Sequence, residues 1–374
     1  MLHLRNIRFS DGSSASDIEI DDGKESCNER DMSAFTAVPG FFDPHIHGSF
    51  GFDVSDGNPE DIISLSKKLP AFGVSEYLPT LMTLSEEDIF KVCDAVMIAN
   101  NSLQAFDGPY AGIYGIRLEG PFLNPLMSGV QNEDLFVSSD RFSHIIENVE
   151  SRFPGLLKMI DIAPELDGAL DLVREYKDRY VISLAHSDSG YETAKEFFLS
   201  GGSSLTHALN AMRPCLKRDP GPLGAAFDSG NVYIELICDG HHVDPSVIRM
   251  LFKLFEDRVI VISDAMRAGG MPDGTYSLGG VQVRSENGRT FFGPDGNLAG
   301  SVTNLAQEAV RLRSYGIPED SILHAMTCAP RKRFGIDLKA SSGGKMCSLN
   351  FVDPNLRLLC VISRGRLVSP DYML

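Results

Sequence analysis

Eight short apolar or β-branched runs recur along the chain, and this recurrence limits the fold more than any other feature. They are GFFDPHIH (40–47), SEYLPTLM (75–82), AGIYGIRLEG (111–120), GLLKMIDIAPE (155–165), YVISLAHS (180–187), SSLTHAL (203–209), VYIELICDG (232–240) and RVIVISDA (258–265). Amphipathic stretches such as PEDIISLSKKLPAFG, DGALDLVREYKDR and DPSVIRMLFKLFED separate several of them. Strands alternating with helices bury both faces of a parallel sheet. Eight such units predict an α/β chain built as a (β/α)8, TIM-like barrel.

The two ends of the chain read differently. LHLRNIRF and DIEI at the start, and KMCSLNFVDPNLRLLCVISRGRLV at the end, are strand–turn–strand patterns without helices. We expect residues 1–39 and 341–374 to pair into one small β-sandwich domain beside a barrel spanning 40–340. Within the barrel, TYSLGGVQV and GRTFFGPDGNLAGS predict a β-hairpin insertion near 275–300, with glycines at the turns.

Composition removes several classes of function. A net charge of −17 leaves no basic surplus to meet phosphates, so no nucleic-acid partner is expected. No stretch has the length and apolarity of a membrane span, and MLHLRNIRF has charges among its apolar residues, unlike a signal peptide. Seven cysteines without a CxxC pair fit a reducing, cytoplasmic location and argue against a disulfide framework or a four-cysteine zinc site.

Polar and ionisable residues gather where the runs end: His45 and His47, Glu119, His186, His207, Asp239 and Asp264. In such a barrel the carboxyl ends of all strands meet on one face, which holds the chemistry. His45 and His47, two apart on a strand, project to the same side and suit a divalent metal. Glu119, His186 and His207 make up a two-histidine, one-carboxylate set common in catalytic zinc sites, and the same donors suit iron. Asp264 ends the last run, where a carboxylate could take the proton of a water acidified by a metal. For a small anion the candidates are Asn210, Ala211 and the turn KRDPGPLGAA with Arg218, since arginine and exposed backbone N–H groups bind phosphate. His242, in CDGHHVDP, is a candidate hydrogen-bonder to substrate, and His241 is expected to point elsewhere.

The motifs PGFFDPHIHG, GIRLEGPFLNPLMSGVQ, AHSDSGYETA, THALNAM, KRDPGPLGAAF, CDGHHVDP, SDAMRAGGMPDGTYSLGG and LAGS, in this order, resemble the N-acetylglucosamine-6-phosphate deacetylase family of the amidohydrolase superfamily. The resemblance runs through nearly the whole length. It implies a barrel with a small β-sandwich, one or two divalent ions (zinc or iron), and hydrolysis of the acetamido group of a phosphorylated amino sugar. It implies Glu119, His186 and His207 as principal metal ligands, Asp264 as the catalytic acid/base, and Gln131, Asn210, Ala211, Arg218 and His242 as substrate-binding residues. Some family members pass the phosphate-binding arginine across a dimer interface, so a homodimer is expected.

This chain keeps both histidines of the HxH pair, which leaves room for a second metal. Gln131 stands where some members have a histidine. GKMCSLNFVD lacks the alanine–aspartate pair usual in the superfamily, and Glu119, rather than a carboxylated lysine, would bridge two ions. The alternatives are another amidohydrolase acting on a different N-acyl or cyclic amide, and an inactive barrel with a binding role.

Overall fold

The computed structural model describes residues 2–10, 14–20, 28–294, 296–336 and 348–368. Its core is a parallel sheet of β1 (Phe41–Ile46), β2 (Val74–Leu81), β3 (Ile116–Leu118), β4 (Leu157–Ile162), β5 (Val181–Leu184), β6 (Ser204–Leu205), β7 (Tyr233–Ile237) and β8 (Val259–Ile262). Each strand pairs with the next in chain order. A parallel bridge between Ile46 and Ala265 joins the last strand to the first, so the sheet closes into the expected barrel. VIVI of β8 is buried throughout, as a strand covered on both faces must be.

Two runs give less strand than their length suggests. The third divides into Gly112–Ile113 and β3 around Gly115, where an added Cβ would lie 2.5 Å from the Leu156 carbonyl. The sixth keeps only two strand residues before the chain turns towards His207.

Helices cover the outside, among them α1 (Pro59–Lys68), α2 (Glu86–Gln104), α3 (Ser139–Arg152) and α4 (Ala169–Tyr176). Next come α5 (Tyr191–Ser200), α6 (Gly221–Asp228) and α7 (Pro245–Phe255), then α8 (Leu305–Ser314) and α9 (Glu319–Arg333) beyond the last barrel strand. Helix α7 shows the logic: the Asp244 side chain accepts from the Ser246 N–H, Pro245 starts the first turn, and Ile248, Leu251, Phe252 and Phe255 share the buried face. No helix among the described residues is long and apolar enough to cross a membrane.

The terminal segments meet in one mixed sheet, in which Thr36–Pro39 pairs antiparallel with Leu349–Val352. Leu4, Ile7, Met32, Ala37, Phe351 and Ile362 belong to its own apolar cluster. The boundary placed at 341, the first residues of GKMCSLNFVD and the turn after Ile20 lie outside the described residues.

The insertion is larger than a hairpin. Gly274–Leu278, Val281–Glu286, Arg289–Phe292 and Asn297–Leu298 form a four-stranded antiparallel sheet. Gly293 and Gly296, both with positive φ, let the chain reverse once more after Phe292. The Thr290 hydroxyl then donates to the Ala299 carbonyl and fastens the returning strand.

Candidate active site

The expected ligands arrive on the ends of five barrel strands. His45 and His47 belong to the end of β1, and Glu119 follows β3 directly. His186, His207 and Asp264 each stand two residues beyond β5, β6 and β8. These three have φ of 46°, 27° and 46°, left-handed values that cost a non-glycine residue about 1–3 kcal/mol and persist where the surroundings enforce them. After Glu119 the chain needs Gly120, whose φ is 99° and where an added Cβ would lie 2.2 Å from the Thr83 hydroxyl.

Two trios of donor atoms result: Glu119 with His186 and His207, and His45 with His47 and Asp264, all six residues buried. In the first, Glu119 Oε1 lies 3.1 Å from His186 Nε2 and 3.0 Å from His207 Nε2, with 3.3 Å between the two nitrogens. In the second, His47 Nε2 lies 3.3 Å from His45 Nε2 and 3.2 Å from Asp264 Oδ1, and His45 Nε2 lies 3.5 Å from that oxygen. Metal–ligand bonds of about 2.0–2.1 Å in tetrahedral array set donor atoms about 3.3 Å apart, so both trios have the spacing of atoms around a shared small cation. Glu119 links them: its Oε2 is 3.2 Å from His47 Nε2.

The far sides of the rings decide which nitrogen is bare. His186 Nδ1 lies 2.8 Å from the Met127 carbonyl and His47 Nδ1 lies 3.0 Å from the Thr80 carbonyl. A carbonyl only accepts, so each Nδ1 carries the proton and each Nε2 turns its lone pair inward. His45 Nδ1 faces Glu235 Oε2 at 3.3 Å, while His207 Nδ1 is buried without a partner among the described residues.

Charge is balanced locally. Burial and the Arg117 charge work against protonation of His45, yet Glu119 and Asp264 push it up to about 9. Burial likewise opposes ionised Glu119, but His45, His186 and His207 hold its carboxyl well below the usual range. A divalent cation answers the same two carboxylates without needing protons on the rings, so the donor set fits a metal.

Above the trios opens a cavity of about 700 Å³, of the size that holds a sugar phosphate. Gln131, Asn210, Ala211 and His242 line it beside the ligands, so the fold brings four of the five expected substrate-binding residues together. Gln131 Nε2 donates to Glu119 Oε2 at 2.9 Å, and its Oε1 accepts from the Thr83 N–H. His242 Nδ1 is 2.8 Å from Asp239 Oδ2; burial works against a charged ring, but that bond together with the Asp239 and Asp264 charges raises the imidazole above its usual value. Arg218 is the exception: it is exposed on the loop before α6 and does not reach its own chain's cavity.

No family model matches the chain. It is 31% identical over 370 residues to an N-acetylgalactosamine-6-phosphate deacetylase of Escherichia coli O157:H7, covering 97% of this chain and 94% of that protein. It is 32% identical over 337 residues to the N-acetylglucosamine-6-phosphate deacetylase of Bacillus subtilis strain 168, covering 88% of this chain and 84% of the relative. The chain belongs to the N-acetylglucosamine-6-phosphate deacetylase family. A deacetylase of this family from Mycobacterium smegmatis, solved as a mutant in complex with N-acetyl-D-glucosamine-6-phosphate, superposes with a TM-score of 0.85 at 27% identity, covering 98% of both chains.

Beneath the family's expected ligands lies a layer that strand-end reasoning passed over. Arg117 donates to both Asp161 oxygens at 2.8 and 2.9 Å, and to both Glu235 oxygens at 2.8 and 3.0 Å. Its Nη2 also reaches the Thr206 hydroxyl, next to His207. The available signal was one charged residue inside each of three otherwise apolar runs: IRL, MIDI and YIELI. Likewise Phe292 and Leu298, from the inserted sheet, form part of the cavity wall and could be placed only once the insertion's path was known.

Proposed function

We propose that the chain hydrolyses the acetamido group of N-acetylglucosamine 6-phosphate to glucosamine 6-phosphate and acetate, in amino-sugar catabolism. The observation that carries this is the meeting of four imidazoles and two carboxylates, spaced for divalent ions, at the floor of a sugar-sized cavity in a chain of this family. Glu119, His186 and His207 would hold one zinc or iron ion, with His45, His47 and Asp264 beside them as a second ligand set. Such an ion supplies Lewis-acid polarisation of the acetyl carbonyl and a more acidic water.

The chain's own residues do the rest. The Asp264 carboxylate takes a proton from the attacking water and returns it to the departing nitrogen, so one group serves as base and then acid. Gln131, tied to Glu119 and to the Thr83 N–H, offers an ordered amide at the edge of the reacting group. Asn210 is pinned through its amide nitrogen to the His207 carbonyl at 3.1 Å, and with Ala211 it borders the sugar. His242, favoured in its protonated form by Asp239, presents a donor to the phosphate. Holding the sugar by its phosphate fixes the amide over the reacting centre, and part of the rate comes from that geometry.

Apart from His242 the phosphate meets no cationic side chain of its own chain's cavity: among the described residues no lysine or arginine lines it. Arg218 therefore belongs to the cavity of a second copy in a homodimer. Exposed Leu216 and Cys215, on the same turn, support a contact there. Arg218→Ala should lower kcat/KM for the phosphorylated sugar about 10–150-fold, the worth of a hydrogen bond to a charged group, and leave an unphosphorylated acetamido sugar unaffected. Mixing Arg218→Ala with Asp264→Asn subunits restores activity only if the arginine is supplied across the interface. A cytoplasmic location belongs to the same reading, supported by the free thiols of the described cysteines.

The E. coli relative is named for the galactosamine epimer, so a second substrate is weighed with the first. Acetate release from N-acetylglucosamine 6-phosphate, N-acetylgalactosamine 6-phosphate and their unphosphorylated forms, with metal measured on the same sample, tests both. Equal rates on plain and phosphorylated sugars would contradict the proposal.

A further inference from the structure

Of the four ring nitrogens facing away from the metal donors, one is set by a replaceable side chain. His47 and His186 meet backbone carbonyls, and His207 Nδ1 has no hydrogen-bond partner among the described residues. His45 meets Glu235, a fully buried carboxylate on β7 that Arg117 grips through both oxygens. Arg117 cannot swing away: its other edge is bonded to both Asp161 oxygens and to Thr206. A guanidinium only donates and an ionised carboxylate only accepts, so the polarity of this chain of contacts runs one way. Glu235 is thereby kept as an acceptor, the His45 proton is kept on Nδ1, and Nε2 is left bare towards His47 and Asp264.

We infer that Glu235, clamped by Arg117, is the positioning residue that decides whether the His45–His47–Asp264 trio holds an ion. It touches neither the Glu119–His186–His207 trio nor the cavity, so the two sites can be uncoupled at this position. The inference rests on the metal reading given above.

Glu235→Gln keeps the shape and reverses the polarity. The amide oxygen goes to Arg117, which can only donate, and the amide N–H2 then faces His45 Nδ1. That nitrogen must become the acceptor, the proton moves to Nε2, and the inward lone pair is lost. Loss of such an outer partner weakens metal affinity about 10–100-fold.

The test strips the protein of metal, titrates it with zinc or cobalt(II) against a competing chelator, and counts ions per chain by elemental analysis. Wild type should bind two ions. Glu235→Gln should keep the tighter one unchanged and bind the other about 10–100-fold more weakly, matching His45→Gln in stoichiometry. In cobalt-loaded wild type, proton NMR should show exchangeable, hyperfine-shifted Nδ1–H signals from both His45 and His47, and the His45 signal, assigned by its NOEs to neighbouring protons, is the deciding one. This measurement decides the matter even if Glu235→Gln does not fold. Two ions bound by Glu235→Gln with wild-type affinity, or no such His45 proton in wild type, would overturn the inference. So would a single ion in saturated wild type, though that result leaves deacetylation on the Glu119 trio standing.

Discussion

The floor of the cavity and its rim are built on opposite terms. The floor is made of strand ends: its ligands are buried, three of them hold left-handed backbone, and Arg117 ties three strands together beneath them. The rim is made of loops and the inserted sheet, which rests on a small cluster of Met82, Met266, Ala268, Leu278, Val283 and Ala299. Arg289 of that sheet reaches across to His241 Nδ1 at 3.1 Å, an exposed contact beside the loop of His242. Chemistry that tolerates no displacement is placed where packing is closed, and contacts that must admit and release a sugar are placed where packing is sparse.

This contrast can be broken first at Asp264. Asp264→Asn should lower kcat by about 100- to 10,000-fold, the usual worth of a general acid/base, while the ion of the Glu119 trio stays bound. Normal turnover in that variant would take Asp264 out of the scheme. Next in size is the clamp under the floor. Arg117→Met leaves Asp161 and Glu235 buried without their cation and should cost about 3–5 kcal/mol, read by urea unfolding of the metal-free protein. A loss no greater than that of a rim substitution would mean the floor is not the rigid half.

The smallest effect belongs to the rim. Arg289 and His241 should show a coupling of about 0.2–1 kcal/mol in a double-mutant cycle on stability. Burial, with the charges of Arg289 and Arg311, holds His241 below its usual value despite Asp239. The neutral ring accepts the Arg289 N–H, and a histidine lowered on folding contributes fully above its unfolded value. The coupling should therefore hold above about pH 6.5 and fade as pH drops through the lower folded value. A coupling that grows in acid would assign the contact to charge attraction elsewhere.

Much of the floor was legible in the sequence because barrel strands must end on one face. His45, His47, Glu119, His186, His207 and Asp264 announced themselves as polar residues closing apolar runs. Arg117, Asp161 and Glu235 did not, because a charge inside a strand is informative only when its partner is known, and the partners come from strands 44 and 118 residues away. Arg218 was legible as a cation on a turn, but its exposure, away from its own chain's cavity, was a matter of geometry.

Local chemistry, then, determined the eight strand units, the helices between them and the identity of the donors, since periodicity and residue type act over a few positions. What only the tertiary structure decided was which nitrogen of each ring faces inward, and that His45 answers to Glu235. Those are properties of atoms brought within about 3 Å by closure of the barrel, and hydrogen-bond polarity has meaning only at that distance.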